Sequence, residues 1–250
     1  MLKVKEVSKY YSKNGSLFKQ KRLPVLKNIS FSIRAGESVG LVGESGSGKS
    51  TLSKLLLGLE EADKGSILME EKPIAVWKKE NKGQMSVVFQ DYTSSVNPNF
   101  KVRDIIGEPL LSIDLKAEMK EKLNQLMEEV CLSKTILDRY PHELSGGQLQ
   151  RVCIARAIST CPRFIVFDEA LSSLDIPVQY QIVEILAGLK EKMNVSYLFI
   201  THDLLSAVTL CDKLLFLYKG QIVEEIEKDR LAHVQNEYSR RLLKSVGVMN

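Results

Sequence analysis

The segment ESVGLVGESGSGKSTLSKLLL, Glu37 to Leu57, decides the fold. Its opening residues are short and strongly apolar, as in a buried strand, and a helix is expected to begin near Lys49. Between them Gly43, Glu44, Ser45, Gly46, Ser47, Gly48, Lys49, Ser50 and Thr51 match the pattern G-x-x-x-x-G-K-[ST] in the context it requires, strand before and helix after. The glycines let the backbone close around phosphate oxygens with its N–H groups turned inward, and the first turn of the helix adds its positive end. Lys49 is expected to reach the β- and γ-phosphates, and Ser50 to place its hydroxyl on Mg²⁺. A plain glycine turn is the alternative, and at average composition a chance match to this pattern is rare in a chain of this length.

Outward from this loop, other short apolar runs read as strands: 2–7, 25–33, 65–69, 86–89, 163–167, 195–200, 213–218 and 221–226. The runs at 37–42, 86–89, 163–167 and 195–200 are mostly followed by polar turns and helical patterns, the mark of a buried parallel sheet covered by helices. Ligands in such folds bind at the carboxyl ends of the strands. Run 163–167 ends in Asp168 and Glu169, two carboxylates that are costly at the end of a buried strand unless something positive waits there. The first suits Mg²⁺, and the second is placed to orient and deprotonate water. Run 86–89 ends in Gln90, able to touch the metal and the water together, and run 195–200 ends in Thr201 and His202, the histidine able to donate a hydrogen bond to a γ-phosphate.

Residues 102–160 interrupt the strands with helical patterning. In KAEMKEKLNQLMEEV, Lys116 to Val130, apolar residues recur at three and four, which predicts an amphipathic helix. At its end stands LSGGQLQR, Leu144 to Arg151, followed by VCIARAI at helical spacing, so a second polar, glycine-bearing turn opens a helix and offers a second anion site.

Composition is that of an ordinary globular chain: 250 residues, 44% apolar and 26% charged. The net charge of +4 is too small to demand nucleic acid. Lys3, Lys5, Lys9, Lys13, Lys19, Lys21 and Arg22 cluster near the start and read as a solvated face, with a membrane-facing patch as the alternative. Cys131, Cys153, Cys161 and Cys211 contain no C-x-x-C pair, and His142, His202 and His233 form no ligand-spaced group, so neither zinc nor a disulfide framework is suggested and a reducing cytosol is expected. No apolar run approaches the ~20 residues needed to span a bilayer.

GESGSGKST, VVFQD, LSGGQ, FIVFDEA, SSLD and FITHD occur in this order across nearly the whole chain, which thereby resembles the nucleotide-binding subunit of an ATP-binding cassette (ABC) transporter. The resemblance implies an α/β fold: a P-loop NTPase (RecA-like) core with a mostly parallel sheet, an antiparallel β-subdomain and an inserted α-helical subdomain. One nucleotide-binding domain is expected over 1–244, with core 1–101 and 161–226, helical subdomain about 102–160 and a C-terminal helix about 229–244. In the family two cassettes pair head to tail, and each ATP lies between the P-loop of one and the LSGGQ turn of the other. By likeness, then, Ser145, Gly146, Gly147 and Gln148 serve the partner's nucleotide, which explains two anion sites in one chain. Glu169 resembles the general base, His202 the switch histidine, Gln90 the Q-loop residue and Asp175 the D-loop aspartate. Tyr11 stands where the family stacks an aromatic on adenine, with Tyr10 the second choice. ATP and Mg²⁺ are the cofactors implied.

Longer stretches, VVFQDYTSSVNPNFKVRDIIGEPL and RYPHELSGGQLQRVCIARAI among them, resemble the subunits of bacterial peptide and nickel importers. Such systems imply a sister ATPase in a heterodimer, two transmembrane permeases, an extracytoplasmic binding protein, and a peripheral place on the cytoplasmic face of the membrane. The cargo implied is peptides, nickel or metal chelates, and the lack of any cysteine after Cys211 leans towards the metal side. Ala170 stands where proline is usual, Tyr92 and Thr93 where proline and tyrosine are usual, and Leu149 where arginine is common. The alternative, a soluble ABC ATPase acting on nucleic acid or ribosomes, typically carries coiled-coil inserts, zinc modules or a second cassette, none of which this sequence contains. A P-loop GTPase or kinase would leave LSGGQ unexplained.

Overall fold

The computed structural model describes residues 1–12, 22–113 and 119–248. Among them are ten strands: β1 (Leu2–Ser12), β2 (Arg22–Ile33), β3 (Ser38–Val42), β4 (Lys64–Met69), β5 (Lys72–Pro73), β6 (Met85–Phe89), β7 (Phe164–Asp168), β8 (Ser196–Thr201), β9 (Lys213–Tyr218) and β10 (Gln221–Glu227). The helices are α1 (Lys49–Leu56), α2 (Ile74–Glu80), α3 (Val102–Leu111), α4 (Met119–Glu129), α5 (Gly146–Ile158), α6 (Ile176–Met193), α7 (Leu204–Leu210) and α8 (Glu237–Ser245). The chain divides into two compact units, 1–79 with 199–250, and 80–198.

In the first unit, β1, β2, β4 and β5 form an antiparallel sheet in the order β2-β1-β4-β5. Leu2 pairs with Ile33 and Val4 with Phe31, and these four side chains are buried while Lys3 and Lys5 point outward. That alternation is the period of two that buries one face of a sheet. It breaks at Glu6, whose φ of 51° marks a bulge between Val4 and Val7 that returns Val7 to the buried face. Gly65 lies opposite the bulge with φ of 82°, where a Cβ would stand 2.4 Å from the Lys5 carbonyl oxygen, so only glycine fits. The same unit holds β3, buried throughout and parallel to β9 from Val39↔Lys213 to Val42↔Phe216, with β10 returning antiparallel. Strand order continues from β3 to the closing half of β8, Phe199–Thr201.

In the second unit the opening half of β8 is followed in order by β7 and β6. Strands β6 and β7 are parallel, in a register that sets Phe89 beside Asp168. Between them in sequence come α3, α4 and α5, and α5 packs against both of the others. Ile105, Ile106 and Leu110 of α3, Leu123, Leu126 and Met127 of α4, and Val152, Ile154 and Ala155 of α5 are buried. Each large apolar side chain removed from water there contributes about 1.5–3 kcal/mol. Helix α6 ends at Asn194, which takes the left-handed φ of 50° common after a helix C-terminus. Tyr197 caps the packing, its hydroxyl donating to the Leu186 carbonyl at 3.2 Å and its ring edge-on to Phe167 at 5.1 Å.

Every strand-like run of the sequence is a strand. The helix read from Lys116 begins its described part at Met119, and Lys116, Ala117 and Glu118 lie outside the described residues, as do Lys13, Lys19 and Lys21. Strand β5 and helix α2 were not legible: β5 is two residues containing a proline, and α2 is too short for a period. What holds α2 is tertiary, since Ile74 and Trp77 are buried and the Trp77 indole donates to Glu70 at 3.0 Å.

Candidate functional site

The first unit carries the P-loop. Strand β3 delivers Gly43, where a Cβ would stand 2.3 Å from the Leu217 carbonyl oxygen and 2.8 Å from Ser47 Oγ. The neighbouring strand β9 thus forces glycine here through close approach. Gly46 (φ 78°) and Gly48 (φ 112°) are in the left-handed region, Gly48 as the residue that starts α1. The loop is tied to the β9–β10 turn, for Gly220 N–H donates to the Ser47 carbonyl at 3.0 Å and Lys27 N–H donates to the Gly220 carbonyl at 2.8 Å. Lys49 is buried, and its Nζ donates to the Gly43 carbonyl at 2.8 Å and the Glu44 carbonyl at 3.1 Å. Its ammonium therefore lies folded across the loop. Ser50 is exposed and Thr51 half-buried on the first turn of α1, while Glu44, Ser45 and Gly46 are open to solvent. Among the described residues Ser47 Oγ is buried with no hydrogen-bond partner, a condition that costs about 1–3 kcal/mol unless a ligand supplies one.

Tyr11 closes β1 with a half-exposed ring. Its hydroxyl donates to Glu60 at 2.6 Å, and Lys9 Nζ lies 5.5 Å from its ring centre. Partial burial first, then the Glu60 carboxylate, push the Tyr11 phenol above its usual value, with the Thr51 hydroxyl acting the other way. Glu60 is held below the usual carboxylate range, chiefly by the Tyr11 hydroxyl. Tyr10, the second choice, is half-buried, and its backbone N–H donates to Asp63 at 2.9 Å. His202, exposed just past β8, lines a cavity of about 120 Å³ with Gly43, Glu44 and residues of α8. It is held between Thr201, whose hydroxyl accepts from Asp203 N–H at 2.9 Å, and Asp203, which caps α7.

In the second unit Gln90 and Asp168 come off the ends of adjacent strands β6 and β7. Glu169 follows with φ of 50°, a left-handed conformation that is uncommon for a non-glycine residue and is concentrated at functional sites. The turn is secured by Ser172, whose N–H and hydroxyl donate to the Glu169 carbonyl at 3.2 and 2.9 Å. Ala170, in place of the family's proline, is buried, and its carbonyl accepts from the Gln150 side chain at 2.7 Å. Asp175 is the N-cap residue of α6, and Gln179 one turn on pins the preceding loop by donating to the Leu171 and Leu174 carbonyls at 2.8 and 3.0 Å.

The LSGGQ turn opens α5 with a reciprocal cap. Ser145 Oγ accepts from Gln148 N–H at 3.3 Å, and Gln148 Oε1 accepts from Ser145 N–H at 3.0 Å. The cap uses an acceptor lone pair of the serine hydroxyl and leaves its O–H to donate to an anion. Gly146 and Gly147 serve close packing as well: a Cβ on Gly146 would stand 2.7 Å from the Tyr92 hydroxyl, and one on Gly147 would stand 2.7 Å from Val178 of α6. Tyr92, a departure from the family pattern, thus lies against the signature turn. Its loop is fastened to α5 by Arg156, which donates to the Ser95 carbonyl at 2.6 Å. Arg151 donates to the Gly147 and Cys131 carbonyls, both at 3.3 Å, joining the turn to the end of α4. Sequence reading missed Glu60, Arg151, Arg156 and Gln179 and noted Tyr92 only as a departure, because no local period or motif announces the contact each one makes.

Among the described residues no three His, Cys, Asp or Glu side chains form a cage. In the first unit Ser50 offers a hydroxyl, and in the second Gln90 and Asp168 offer one amide and one carboxylate oxygen at the ends of adjacent strands, all of them hard donors. Mg²⁺ prefers oxygen ligands and takes much of its shell from water and substrate phosphates.

The family model described as ABC transporter matches residues 26–172. The ATP-binding protein CntF of the metal-staphylopine import system of Staphylococcus aureus (strain NCTC 8325 / PS 47) is 45% identical over 245 residues, covering 97% of this chain and 98% of the relative. The nickel import ATP-binding protein NikE of Escherichia coli O6:K15:H31 (strain 536 / UPEC) is 39% identical over 239 residues, covering 92% of this chain and 89% of the relative. A solved dimer of the ATP-binding cassette MJ0796, in a post-hydrolysis state bound to ADP and Pi, matches with a TM-score of 0.80 at 26% identity over 91% of this chain and 99% of that one.

Proposed function

The chain belongs to the ABC transporter ATP-binding family, and from that premise we propose that it is the ATP-hydrolysing subunit of an importer for nickel or metal–metallophore complexes. As a member it binds ATP and is an ATPase. The observation that carries the nucleotide reading is the glycine loop Gly43–Thr51 with Lys49 folded onto its carbonyls and a buried, unpartnered Ser47 hydroxyl. The cargo rests on the relatives, one serving metal-staphylopine import and one nickel import.

In the proposed cycle the loop N–H groups and Lys49 take the phosphates, the ammonium exchanging carbonyl oxygens for phosphate oxygens. Tyr11 stacks on adenine. Ser50, Gln90 and Asp168 would offer oxygens to Mg²⁺, which when bound would supply charge neutralisation at the phosphates. Glu169 accepts a proton from the water that attacks the γ-phosphorus, His202 donates a hydrogen bond to the γ-phosphate, and the leaving ADP keeps the bonding electrons. Ser145, Gly146, Gly147 and Gln148, with Asp175, address the nucleotide of a second cassette, so the triphosphate favours the closed pair and hydrolysis removes that preference. The pair is proposed to be a heterodimer with a sister ATPase, seated on two permeases at the cytoplasmic face and fed by an extracytoplasmic binding protein. No helix among the described residues is long and apolar enough to cross a membrane.

Glu169→Gln tests the reaction. ATP binding is expected to persist while hydrolysis falls by about 10²–10⁴-fold, the usual contribution of a positioned base. Turnover at the level of the unaltered protein would remove Glu169 from that role. For the cargo, cells lacking the subunit should lose uptake of labelled nickel or metal chelates and keep peptide uptake; the reverse pattern would reassign it.

A further inference from the structure

The backbone N–H of Glu44, inside the P-loop, donates to the hydroxyl of Tyr238 on α8 at 3.0 Å, across 194 positions of sequence. That N–H belongs to the same peptide group as the Gly43 carbonyl, which accepts from Lys49 Nζ at 2.8 Å. A planar trans peptide sends its carbonyl and its N–H in opposite directions, so one rigid unit is gripped at both ends. Two hydrogen bonds through one amide also polarise each other.

Tyr238 is itself firmly held. Its ring packs on Tyr218 with centres 4.3 Å apart. Asn236 caps α8 by accepting from Tyr238 N–H at 3.0 Å, and the Glu224 carboxylate of β10 accepts from Asn236 N–H at 2.6 Å and Gln235 N–H at 3.3 Å. Partial burial raises the phenol above its usual value, so it stays protonated across the physiological range. Further along α8, Leu242 and Ser245 wall the small cavity shared by Gly43, Glu44 and His202, so the helix meets the loop a second time.

We infer that Tyr238 is a positioning residue for the nucleotide's phosphates: through the Glu44 N–H it sets the plane of the 43–44 peptide, and with it the resting place of Lys49. The inference rests on the reading of Gly43–Thr51 as the phosphate site. A phenylalanine at 238 keeps the ring on Tyr218 and removes only the acceptor.

In the full-length chain, Tyr238→Phe should weaken binding of ATP and of inorganic tripolyphosphate, read by calorimetry, by the same factor of about 2–10, the effect of one hydrogen bond. In the assembled ATPase it should raise KM by that factor with kcat unchanged. Unchanged affinity for both probes would overturn the inference, as would weakening confined to ATP, which would place the effect on the base. Lys49→Ala separates the inference from its premise. If that variant binds tripolyphosphate normally, the phosphate-site reading itself fails; if it loses binding while Tyr238→Phe does not, only the role of Tyr238 fails. Should Tyr238→Phe not fold, amide exchange in the unaltered protein decides: protection at Glu44 supports the assignment, and exchange at the rate of an open amide overturns it.

Discussion

Asp91, next to Gln90, shows how one side chain shapes a functional loop. Its carboxylate accepts from the Thr93 hydroxyl at 2.6 Å and from Ser94 N–H at 3.0 Å, a turn in which a short acidic side chain stands in for backbone. The Thr93 hydroxyl first, and Ser94 after it, hold the carboxyl down at about 2. An aspartate in an unfolded chain titrates near ~3.9, so the folded value is the lower one and the turn's stabilising effect is complete above about pH 4. It is lost as pH falls through about 2. A carboxyl titration followed by NMR should give that low midpoint for Asp91 and a higher one in Thr93→Ala, where the Ser94 contacts remain; a value near 4 in the unaltered protein would show that the turn does not form in solution.

At the scale of elements, the contact of α5 with α6 explains a glycine that motif reading assigned only to phosphate. A Cβ on Gly147 would stand 2.7 Å from Val178, and a branched side chain one bond from the backbone has little room to yield. Overpacking of this kind typically costs about 1–3 kcal/mol. Gly147→Ala is therefore expected to lower thermal stability and ATPase activity together, and Val178→Ala in the same chain should restore most of both. If the second substitution restores neither, the glycine is needed for the anion alone. The core of the helical portion obeys the simpler rule: Leu126→Ala on α4, a buried position, should cost about 2–5 kcal/mol in denaturant unfolding with nucleotide affinity unchanged.

For the whole molecule, the proposed second cassette matters most. Ser145 is exposed at the start of α5, its O–H available to an anion from outside the chain. Ser145→Arg should leave ATP binding to the isolated chain unaltered and abolish turnover of the assembled pair; a collapse of the isolated affinity would mean that the turn serves its own nucleotide. The sequence by itself determined the strands other than β5, the P-loop, the carboxylates at the end of β7 and the signature turn, because each is written in a local period or a fixed spacing that backbone geometry dictates. Only the tertiary structure decided why Gly43 and Gly147 must be glycine, what Tyr92 lies against, that Glu60 holds Tyr11 and that Tyr238 grips the loop. Those contacts join residues distant in the chain, and close approach and hydrogen-bond direction exist only once the elements have packed.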